Sequence, residues 1–265
     1  MTHLVWLTDI HVSFLVARGA FVFGQEVRKE HPDMDCAVVT GDIGEFPNFL
    51  QLIEEFAEGA CTNVHFVCGN HDAYGGSVGK MRGKASQHVG KAKYLPTAGV
   101  VKLTPEVVLV GADGWWDARN GDAQKSNVVM SDWVCIQEFR GTWGNGVIAT
   151  AQEIADEEAE KAKVMLSKAV QSGAKRIIFA THVPPYANAA WHQGQQSDSN
   201  WLPWMSNKVM GEVLDEVANA NPDIEFTVLC GHTHGKGTYR RSLNLTVLTG
   251  DSEYYLPRVC GTFDL

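Results

Sequence analysis

Side chains that bind metal ions follow five apolar segments of the sequence. Each segment ends, within one or two residues, in aspartate, asparagine or histidine. Carboxylate, imidazole and amide-oxygen groups without cysteine are typical ligands of Mn²⁺, Fe or Zn²⁺ rather than of Ca²⁺ or an iron–sulfur cluster. The sequence therefore predicts a metal centre built from these clusters: Asp9 and His11, Asp42, Asn70 with His71 and Asp72, His182, and His232 with His234.

Seven of these residues are too many ligands for one catalytic ion, but they suit two ions that share a bridging carboxylate. Two divalent ions about 3.5–4 Å apart hold a hydroxide between them and stabilise an in-line displacement at phosphorus. The pattern thus predicts a metal-dependent hydrolase of phosphoric esters. The predicted metal ligands are Asp9, His11, Asp42, Asn70, His182, His232 and His234.

Taken one at a time, the same motifs have structural interpretations. Asp42 suits a turn or a helix cap. His182, which precedes Pro184 and Pro185, suits a loop. Asp-x-His and His-x-His after a strand are also more often structural than metal-binding. The joint occurrence of all five clusters, in order and each at the end of a predicted strand, favours the metal centre.

An alternation of strands and helices must position these residues, and it predicts an α/β fold. The carboxyl ends of strands in an open α/β sheet point to one edge, so the five clusters are expected to meet in one crevice. The predicted strands that carry them are Leu4–Leu7, Cys36–Val39, Val64–Cys68, Arg176–Ala180 and Glu225–Cys230. The predicted helices are Phe14–Lys29, Asn48–Glu58, Ala151–Gln171 and Lys208–Ala220.

Glycines lie near the ends of these predicted strands and helices. Gly41, Gly69 and Gly231 each precede a predicted ligand, and we expect them to let the backbone turn sharply there. Gly59 is expected to cap the second helix. No linker or repeat divides the sequence, so residues 1–265 are predicted to form one domain. Irregular loops near 112–146 and 183–206 are expected on the substrate side.

The set of motifs resembles the calcineurin-like metallophosphoesterases. It comprises Asp9-x-His11, Gly41-Asp42, Gly69-Asn70-His71-Asp72, Thr181-His182 and Gly231-His232-Thr233-His234, and it spans residues 9–234. The resemblance implies a four-layer α/β/β/α sandwich with a dinuclear metal site at one edge. Many members have Asp or Arg at the position of Glu45, and this departure concerns the substrate subtype rather than metal binding.

The resemblance also implies a role for each residue. Asp42 would bridge the two ions. His71 matches the histidine that contacts the phosphoryl oxygen and can protonate the leaving group, with Asp72 as its orienting partner. One ion is assigned to Asp9, His11, Asp42 and His234, and the other to Asp42, Asn70, His182 and His232.

The amino-acid composition disfavours several classes of protein. The 265 residues are 45% hydrophobic and 20% charged, as in globular proteins. No apolar run reaches the roughly 20 residues of a membrane-spanning helix, and a net charge of −9 disfavours binding to nucleic acid. The N-terminal segment lacks the features of a secretory signal. The six cysteines form no C-x-x-C pair and are expected to be reduced and buried, so a cytoplasmic location is expected.

Three features are candidate substrate contacts, and each has a structural alternative. Six basic residues and no acid lie between positions 73 and 105, most of them within 80–93, where they either guide an anionic substrate or form a solvated surface. Trp115 and Trp116 either stack on a base or an aromatic leaving group, or fill space under a long loop. His192 in the second irregular loop is either a further substrate contact or a structural residue.

Three functions are consistent with the motifs. The first is a phosphoesterase acting on a small molecule, a nucleotide or a phosphoprotein, as a monoesterase or a diesterase. The second is a non-catalytic scaffold of the same fold, which would not need the full ligand set and His71. The third is a dinuclear hydrolase of other esters, amides or lactams, and the Gly69–Asp72 cluster speaks against it.

Overall fold

The computed structural model describes residues 1–265, whose strands form two large β-sheets and one short hairpin. The strands are β1 (His3–Leu7), β2 (Cys36–Thr40), β3 (Asn63–Val67), β4 (Ala92–Tyr94), β5 (Val101–Lys102), β6 (Val107–Gly111), β7 (Arg176–Ala180), β8 (Trp191–His192), β9 (Gln195–Gln196), β10 (Glu225–Cys230), β11 (Gly237–Arg240), β12 (Leu245–Thr249) and β13 (Gly261–Asp264).

Eight α-helices connect or flank these strands. They are α1 (Gly19–Glu30), α2 (Phe49–Ala60), α3 (Val78–Ser86), α4 (Leu95–Ala98), α5 (Asp132–Cys135), α6 (Asn145–Gln171), α7 (Leu202–Met205) and α8 (Lys208–Ala220). Single 3₁₀ turns occupy Val12–Phe14, His71–Ala73, Gln137–Phe139 and Ala187–Ala189. None of the helices is apolar over the length needed to cross a lipid bilayer.

Both large sheets are parallel in their interior. The first has the order β13-β1-β2-β3-β4, with β1 to β4 parallel and β13 antiparallel at the edge. The second has the order β11-β12-β10-β7-β6-β5, with the four inner strands parallel and both edge strands antiparallel. Parallel sheets with helical crossovers are the α/β architecture that the sequence predicts. Of the five ligand-bearing strands, β1, β2 and β3 lie in the first sheet, and β7 and β10 in the second.

Alternate residues along the strands enter different hydrophobic clusters, because successive side chains point to opposite faces of a sheet. One cluster joins the first sheet to α1 and α2, and a second joins the second sheet to α6 and α8. A third contains residues of both sheets, so the sheets pack against each other through it. Representative members are Val5 and Phe56 in the first cluster, Val228 and Leu214 in the second, and Leu4, Ile178 and Leu229 in the third.

The predicted cap at Gly59 is wrong, since α2 continues to Ala60 and Cys61 takes the left-handed capping conformation. Gly59 instead serves close packing of α1 on α2. A Cβ atom at Gly59 would lie 2.0 Å from the Phe21 carbonyl oxygen, and one at Gly24 would lie 2.3 Å from the Phe56 carbonyl oxygen. The glycine pattern therefore reports a helix–helix contact rather than a helix end.

All six cysteines are unpaired, as the sequence predicts. Cys36, Cys68 and Cys230 are buried. The expected burial is wrong for Cys61, which is exposed because it caps α2 at the surface.

Candidate metal centre

The loops after the five ligand-bearing strands hydrogen bond to one another. The Asp9 amide donates to the Gly41 carbonyl at 3.1 Å, and the Gly231 amide donates to the His182 carbonyl at 2.8 Å. The two sheets are linked by the His232 amide, which donates to the Asp9 carboxylate at 3.0 Å. The structure thus brings all seven predicted ligands into one region, although they come from two sheets rather than from one.

A first group consists of Asp9, His11, Asp42 and His234, whose ligand atoms all lie within 4.8 Å of one another. His11 Nε2 is 3.6 Å from Asp42 Oδ2 and 3.3 Å from His234 Nε2. His234 Nε2 is 3.4 Å from Asp9 Oδ1. This group offers two carboxylates and two imidazoles to one point, a donor set that suits a borderline divalent cation.

A second group consists of Asp42, Asn70, His182 and His232. His182 Nε2 lies 3.4 Å from Asp42 Oδ1 and 3.1 Å from Asn70 Oδ1. His232 Nδ1 also lies 3.1 Å from Asn70 Oδ1. Asp42 therefore faces the first group with Oδ2 and the second with Oδ1, which is the position of a bridging carboxylate.

The proton positions in the second group favour a cation. In each histidine of this group, the ring nitrogen that points away from Asn70 lies 2.9 Å from a backbone carbonyl oxygen. His182 Nδ1 faces the Thr40 carbonyl, and His232 Nε2 faces the Trp204 carbonyl. Because a carbonyl only accepts hydrogen bonds, each of these nitrogens carries the proton. The inward nitrogens then hold lone pairs, and both face the Asn70 carbonyl oxygen, which is another acceptor. Acceptors that converge without a donor fit a metal ion, and carbonyls that fix histidine tautomers are typical of metal sites.

Burial favours the neutral forms of His11, His232 and Asp42. It lowers the pKa of His11 to about 2 and that of His232 to about 4, and neutral imidazole is the metal-binding form. Burial, together with the neighbouring carboxylates of Asp9 and Asp72, raises the pKa of Asp42 well above its usual range. A bound cation would supply the countercharge that this buried carboxylate lacks.

Backbone strain is concentrated at the predicted ligands. Ten residues other than glycine have positive φ angles, and five of them are predicted ligands: Asp9 (46°), His11 (40°), Asp42 (51°), His232 (68°) and His234 (53°). Left-handed conformations of such residues cost on the order of 1–3 kcal/mol each and cluster at functional sites. The surrounding hydrogen bonds between loops hold the chain in this arrangement.

The expectation that three glycines supply sharp turns holds for Gly41 alone, whose φ is 88°. Gly69 and Gly231 do not have positive φ angles. They leave room for the ligands instead: a Cβ atom at Gly69 would lie 2.1 Å from Asp42 Oδ1, and one at Gly231 would lie 2.0 Å from Asp9 Oδ2. These two glycines let the backbone approach the carboxylates.

Asp72 does not orient His71, contrary to the role that the resemblance implies. Its Oδ1 accepts hydrogen bonds from the Ile43 and Gly44 amides, and its Oδ2 accepts one from the Gly69 amide. Both oxygens are directed at the backbone, and the carboxylate makes no hydrogen bond to the His71 ring. Asp72 ties the loop after β3 to the loop after β2, and so positions Asp42.

We call the first and second groups of predicted ligands the metal groups, and His71 lies at their edge. Its Nε2 is 3.9 Å from Asp42 Oδ2, and its ring stacks on Tyr74 with centroids 4.2 Å apart. Burial lowers the pKa of His71 to about 4. Tyr74 rather than Asp72 fixes the plane of this imidazole, since no side chain hydrogen bonds to its ring.

Asp132 is a site residue that the sequence did not reveal. It is fully buried, and its Oδ1 accepts hydrogen bonds from Asn70 Nδ2 at 2.8 Å and from the Tyr74 hydroxyl at 2.6 Å. Its Oδ2 accepts one from Trp116 Nε1 at 2.7 Å. The sole sequence signal was its place in the irregular loop near 112–146, because an isolated carboxylate has no diagnostic spacing.

Neither the tryptophan pair nor the basic segment 80–93 lines the cavity at the metal groups. Trp115 and Trp116 are buried and pack on Phe139, so their structural interpretation is correct. In the basic segment, Arg82 forms a buried ion pair with Glu158. None of the basic residues between 80 and 93 lines the cavity at the metal groups.

A cavity of about 630 Å³ opens beside the metal groups. His192 lines it, as one interpretation of the second irregular loop predicts. The full lining is Asp42, Asn70, His71, Tyr74, Val129, Met130, Ser131, His192, Gln193, Gln195, Gln196, Ser197, Asp198, Trp201, Met205, His232, Thr233, His234 and Tyr254. This volume is within the range of small-molecule sites.

The chain belongs to the calcineurin-like phosphoesterase family, whose family model matches residues 2–236. Members of this family are metal-dependent hydrolases of phosphoric esters with a dinuclear centre, and the groups described above lie within the matched residues. A comparison with curated protein sequences gives no significant match.

Solved structures share the fold at low sequence identity. A phosphopantetheinyl hydrolase from Mycobacterium tuberculosis is 12% identical, with a TM-score of 0.69, and the alignment covers 96% of this chain and 90% of that one. A dimetal phosphatase from Danio rerio is 14% identical, with a TM-score of 0.58, and the alignment covers 94% of this chain and 87% of that one. At these identities the likeness shows a common fold.

Proposed function

We propose that this protein hydrolyses phosphoric esters with two divalent cations, of which Mn²⁺, Fe and Zn²⁺ suit the donor set. The observation that carries the proposal is the position of Asp42, which directs one carboxylate oxygen to each ligand group. Asp9, His11, Asp42 and His234 would hold one ion, and Asp42, Asn70, His182 and His232 the other. Bound cations of this kind neutralise phosphoryl oxygens and activate water.

His71 is proposed to contact the phosphoryl group and to deliver a proton to the leaving oxygen. It lines the cavity beside Asp42, and its ring is held by stacking on Tyr74. Burial favours the neutral imidazole, which donates one hydrogen bond. A bound phosphate ester brings negative charge to the ring and so favours the protonated form that general acid catalysis requires.

Asp72 and Asp132 act through other residues. Asp72 holds the backbone around Asp42, and Asp132 holds Asn70 and Tyr74. These contacts support a preorganised site, in which the ligands keep their positions before a cation binds. Monoesters and diesters make the same demands on these residues, so the proposal covers both.

A metal analysis and an activity panel test the proposal. The purified chain is expected to bind two Mn²⁺ ions and to hydrolyse mono- or bis-p-nitrophenyl phosphate. Asp42→Asn is expected to lose both metal binding and activity, since it removes the charge shared by the two groups. Less than one ion per chain together with no ester hydrolysis would instead favour a non-catalytic scaffold. Faster cleavage of amide substrates than of phosphate esters would favour a dinuclear hydrolase of amides.

A further inference from the structure

The cavity wall beyond the metal groups has no positive charge. Its lining includes no lysine or arginine, and its one carboxylate outside the metal groups is Asp198. Asp198 Oδ1 accepts hydrogen bonds from the Asn200 and Trp201 amides at 3.0 Å. We call five of the other lining residues, Met130, Ser131, Gln193, Gln195 and Trp201, the neutral wall.

The polar side chains of the neutral wall have unused hydrogen-bonding groups. The side chains of Ser131, Gln193 and Gln195 make no hydrogen bonds within the chain, whereas the neighbouring Gln196 donates to the Asn188 carbonyl at 3.0 Å. Trp201 is 45% exposed and offers an aromatic surface. Amide and hydroxyl groups beside an aromatic ring can bind both the edge and the face of a polar ring.

Gln193 is held in an unfavourable backbone conformation. The hairpin β8–β9 turns through Gln193 and Gly194, with φ angles of 48° and 76°. Asparagine, aspartate or glycine usually occupies the first position of such a turn. Gln193 has a longer side chain, takes this strained backbone conformation and lines the cavity, and this combination points to a binding role.

The hairpin is fixed relative to the metal groups. His192 Nδ1 donates to the carbonyl of Thr233, which lies between two predicted ligands, at 2.9 Å. Trp191 packs so closely on Gly237 that a Cβ atom there would lie 2.2 Å from the indole ring. The hairpin part of the neutral wall, which carries Gln193 and Gln195, is therefore held in place by contacts within the chain.

On the basis of the proposed phosphoesterase function, we propose that the neutral wall binds the organic part of the substrate and that this part is an uncharged, hydroxylated ring. A second phosphate or a carboxylate would find no cation on this wall. An acyclic alcohol would leave the Trp201 surface and the Gln193 and Gln195 amides without partners. Nucleosides and sugars share the required chemistry.

The first test compares phosphate esters on the Mn²⁺-loaded protein. A nucleoside 5′-monophosphate and glucose 6-phosphate are the two ring-containing probes, and the preferred one identifies the source of the ring. 3-Phosphoglycerate and phosphoethanolamine carry a negative and a positive organic part. The kcat/KM of at least one ring-containing ester is expected to exceed that of both charged esters by about tenfold, the effect of one stacking contact.

Preference for a charged ester, or equal kcat/KM values for all four esters, would overturn the inference while p-nitrophenyl phosphate hydrolysis upholds the proposed function. If no ester is hydrolysed, p-nitrophenyl esters included, the proposed function fails and the inference fails with it. The two failures are thus distinguishable.

The second test uses Gln193→Gly, which suits the left-handed turn and so is expected to keep or raise the melting temperature. Its KM for the preferred ring-containing ester is expected to rise about fivefold, the effect of one lost hydrogen bond. Trp201→Ala is expected to raise the same KM about tenfold. Trp143, which is 75% exposed and does not line the cavity, provides the control Trp143→Ala. An unchanged KM in both wall variants would overturn the inference.

Discussion

Asn70 donates its side-chain amide to the Asp132 carboxylate at 2.8 Å, and this bond decides which atom of Asn70 faces the metal groups. A carboxylate only accepts hydrogen bonds, so the NH₂ group of Asn70 must point to Asp132. The carbonyl oxygen then points to His182 and His232, at 3.1 Å from each. A buried residue outside the predicted ligand set therefore orients one of the predicted ligands.

Replacing Asp132 by asparagine is expected to weaken one metal site selectively. All three partners of Asp132 are donors, so an amide NH₂ would face at least one of them and leave it without an acceptor. Loss of such an outer contact reduces metal affinity about 10- to 100-fold. Stepwise Mn²⁺ titration by calorimetry is expected to show one ion bound as in the parent protein and the second bound more weakly.

The control for this variant is Asp122→Asn in the same loop. Asp122 is paired with Lys125 at the surface and does not line the cavity. It is expected to bind both ions with the parent affinities. Two unchanged affinities in Asp132→Asn would contradict the orienting role of Asp132.

The strands and the residues that converge at the site could be predicted because both depend on local sequence. The strands β7 and β10 have the predicted bounds, since every residue after the charged first one is buried in the sheet and most of these residues are apolar. Helix α1 starts at Gly19 rather than at Phe14, because the loop that carries His11 continues as a 3₁₀ turn and Arg18 is left-handed. Ligand geometry there overrides the helical spacing of the apolar residues.

Contacts between distant loops could not be predicted from the sequence. Asp132 meets Asn70 across 62 positions of the chain, and nothing in the spacing of either residue signals the pair. The sequence likewise did not decide whether Trp116 contacts the substrate or packs in the protein interior. Its ring proves to be fully buried and its indole N–H bonds to Asp132, which is a consequence of how the loop folds back on the first hydrophobic cluster.

His71→Ala is expected to retain both metal ions and to lose turnover. His71 Nε2 lies beside Asp42, but the residue belongs to neither ligand group. General acid catalysis contributes about 10²–10⁴-fold. The loss in kcat is expected to be large for an alkyl ester and smaller for p-nitrophenyl phosphate, whose leaving group departs without a proton. The half-buried His31, which makes no side-chain hydrogen bond, provides the control His31→Ala. Equal losses on both esters would exclude proton donation by His71.

His65 is expected to make stability depend on pH. It is buried on β3, and burial together with the positive charge of Lys93 lowers its pKa from 6.5 to about 4. The unfolded chain then binds more protons than the folded chain between these values, so stability is full above pH 6.5 and falls as the pH drops toward 4. Integrated from pH 7 to pH 5, this effect amounts to about 2 kcal/mol.

Urea denaturation of the parent and of His65→Leu tests this effect. The parent is expected to lose more unfolding free energy between pH 7 and pH 5 than the variant does, whereas the two curves are expected to run parallel from pH 7 to pH 8. Other titrating groups, including the metal ligands, are common to both proteins and cancel in the comparison. A variant that loses as much stability as the parent would show that His65 does not contribute.

Gly24→Ala is expected to destabilise the fold by separating α1 from α2. The added Cβ would lie 2.3 Å from the Phe56 carbonyl oxygen and 2.7 Å from the Ala60 nitrogen, both of which are backbone atoms that cannot rotate away. Overpacking of this kind costs about 1–3 kcal/mol, more than the gain in helix propensity of about 1 kcal/mol from glycine to alanine.

The matched control is Gly83→Ala in α3, where nothing lies within 4 Å of the added Cβ. Helix propensity acts there without a clash, so this variant is expected to gain about 0.5–1 kcal/mol. Urea denaturation is expected to show a lower free energy of unfolding for Gly24→Ala and a higher one for Gly83→Ala. A Gly24→Ala chain as stable as Gly83→Ala would mean that α1 and α2 can move apart without cost, and that the close approach at Gly24 and Gly59 does not hold the helices against the first sheet.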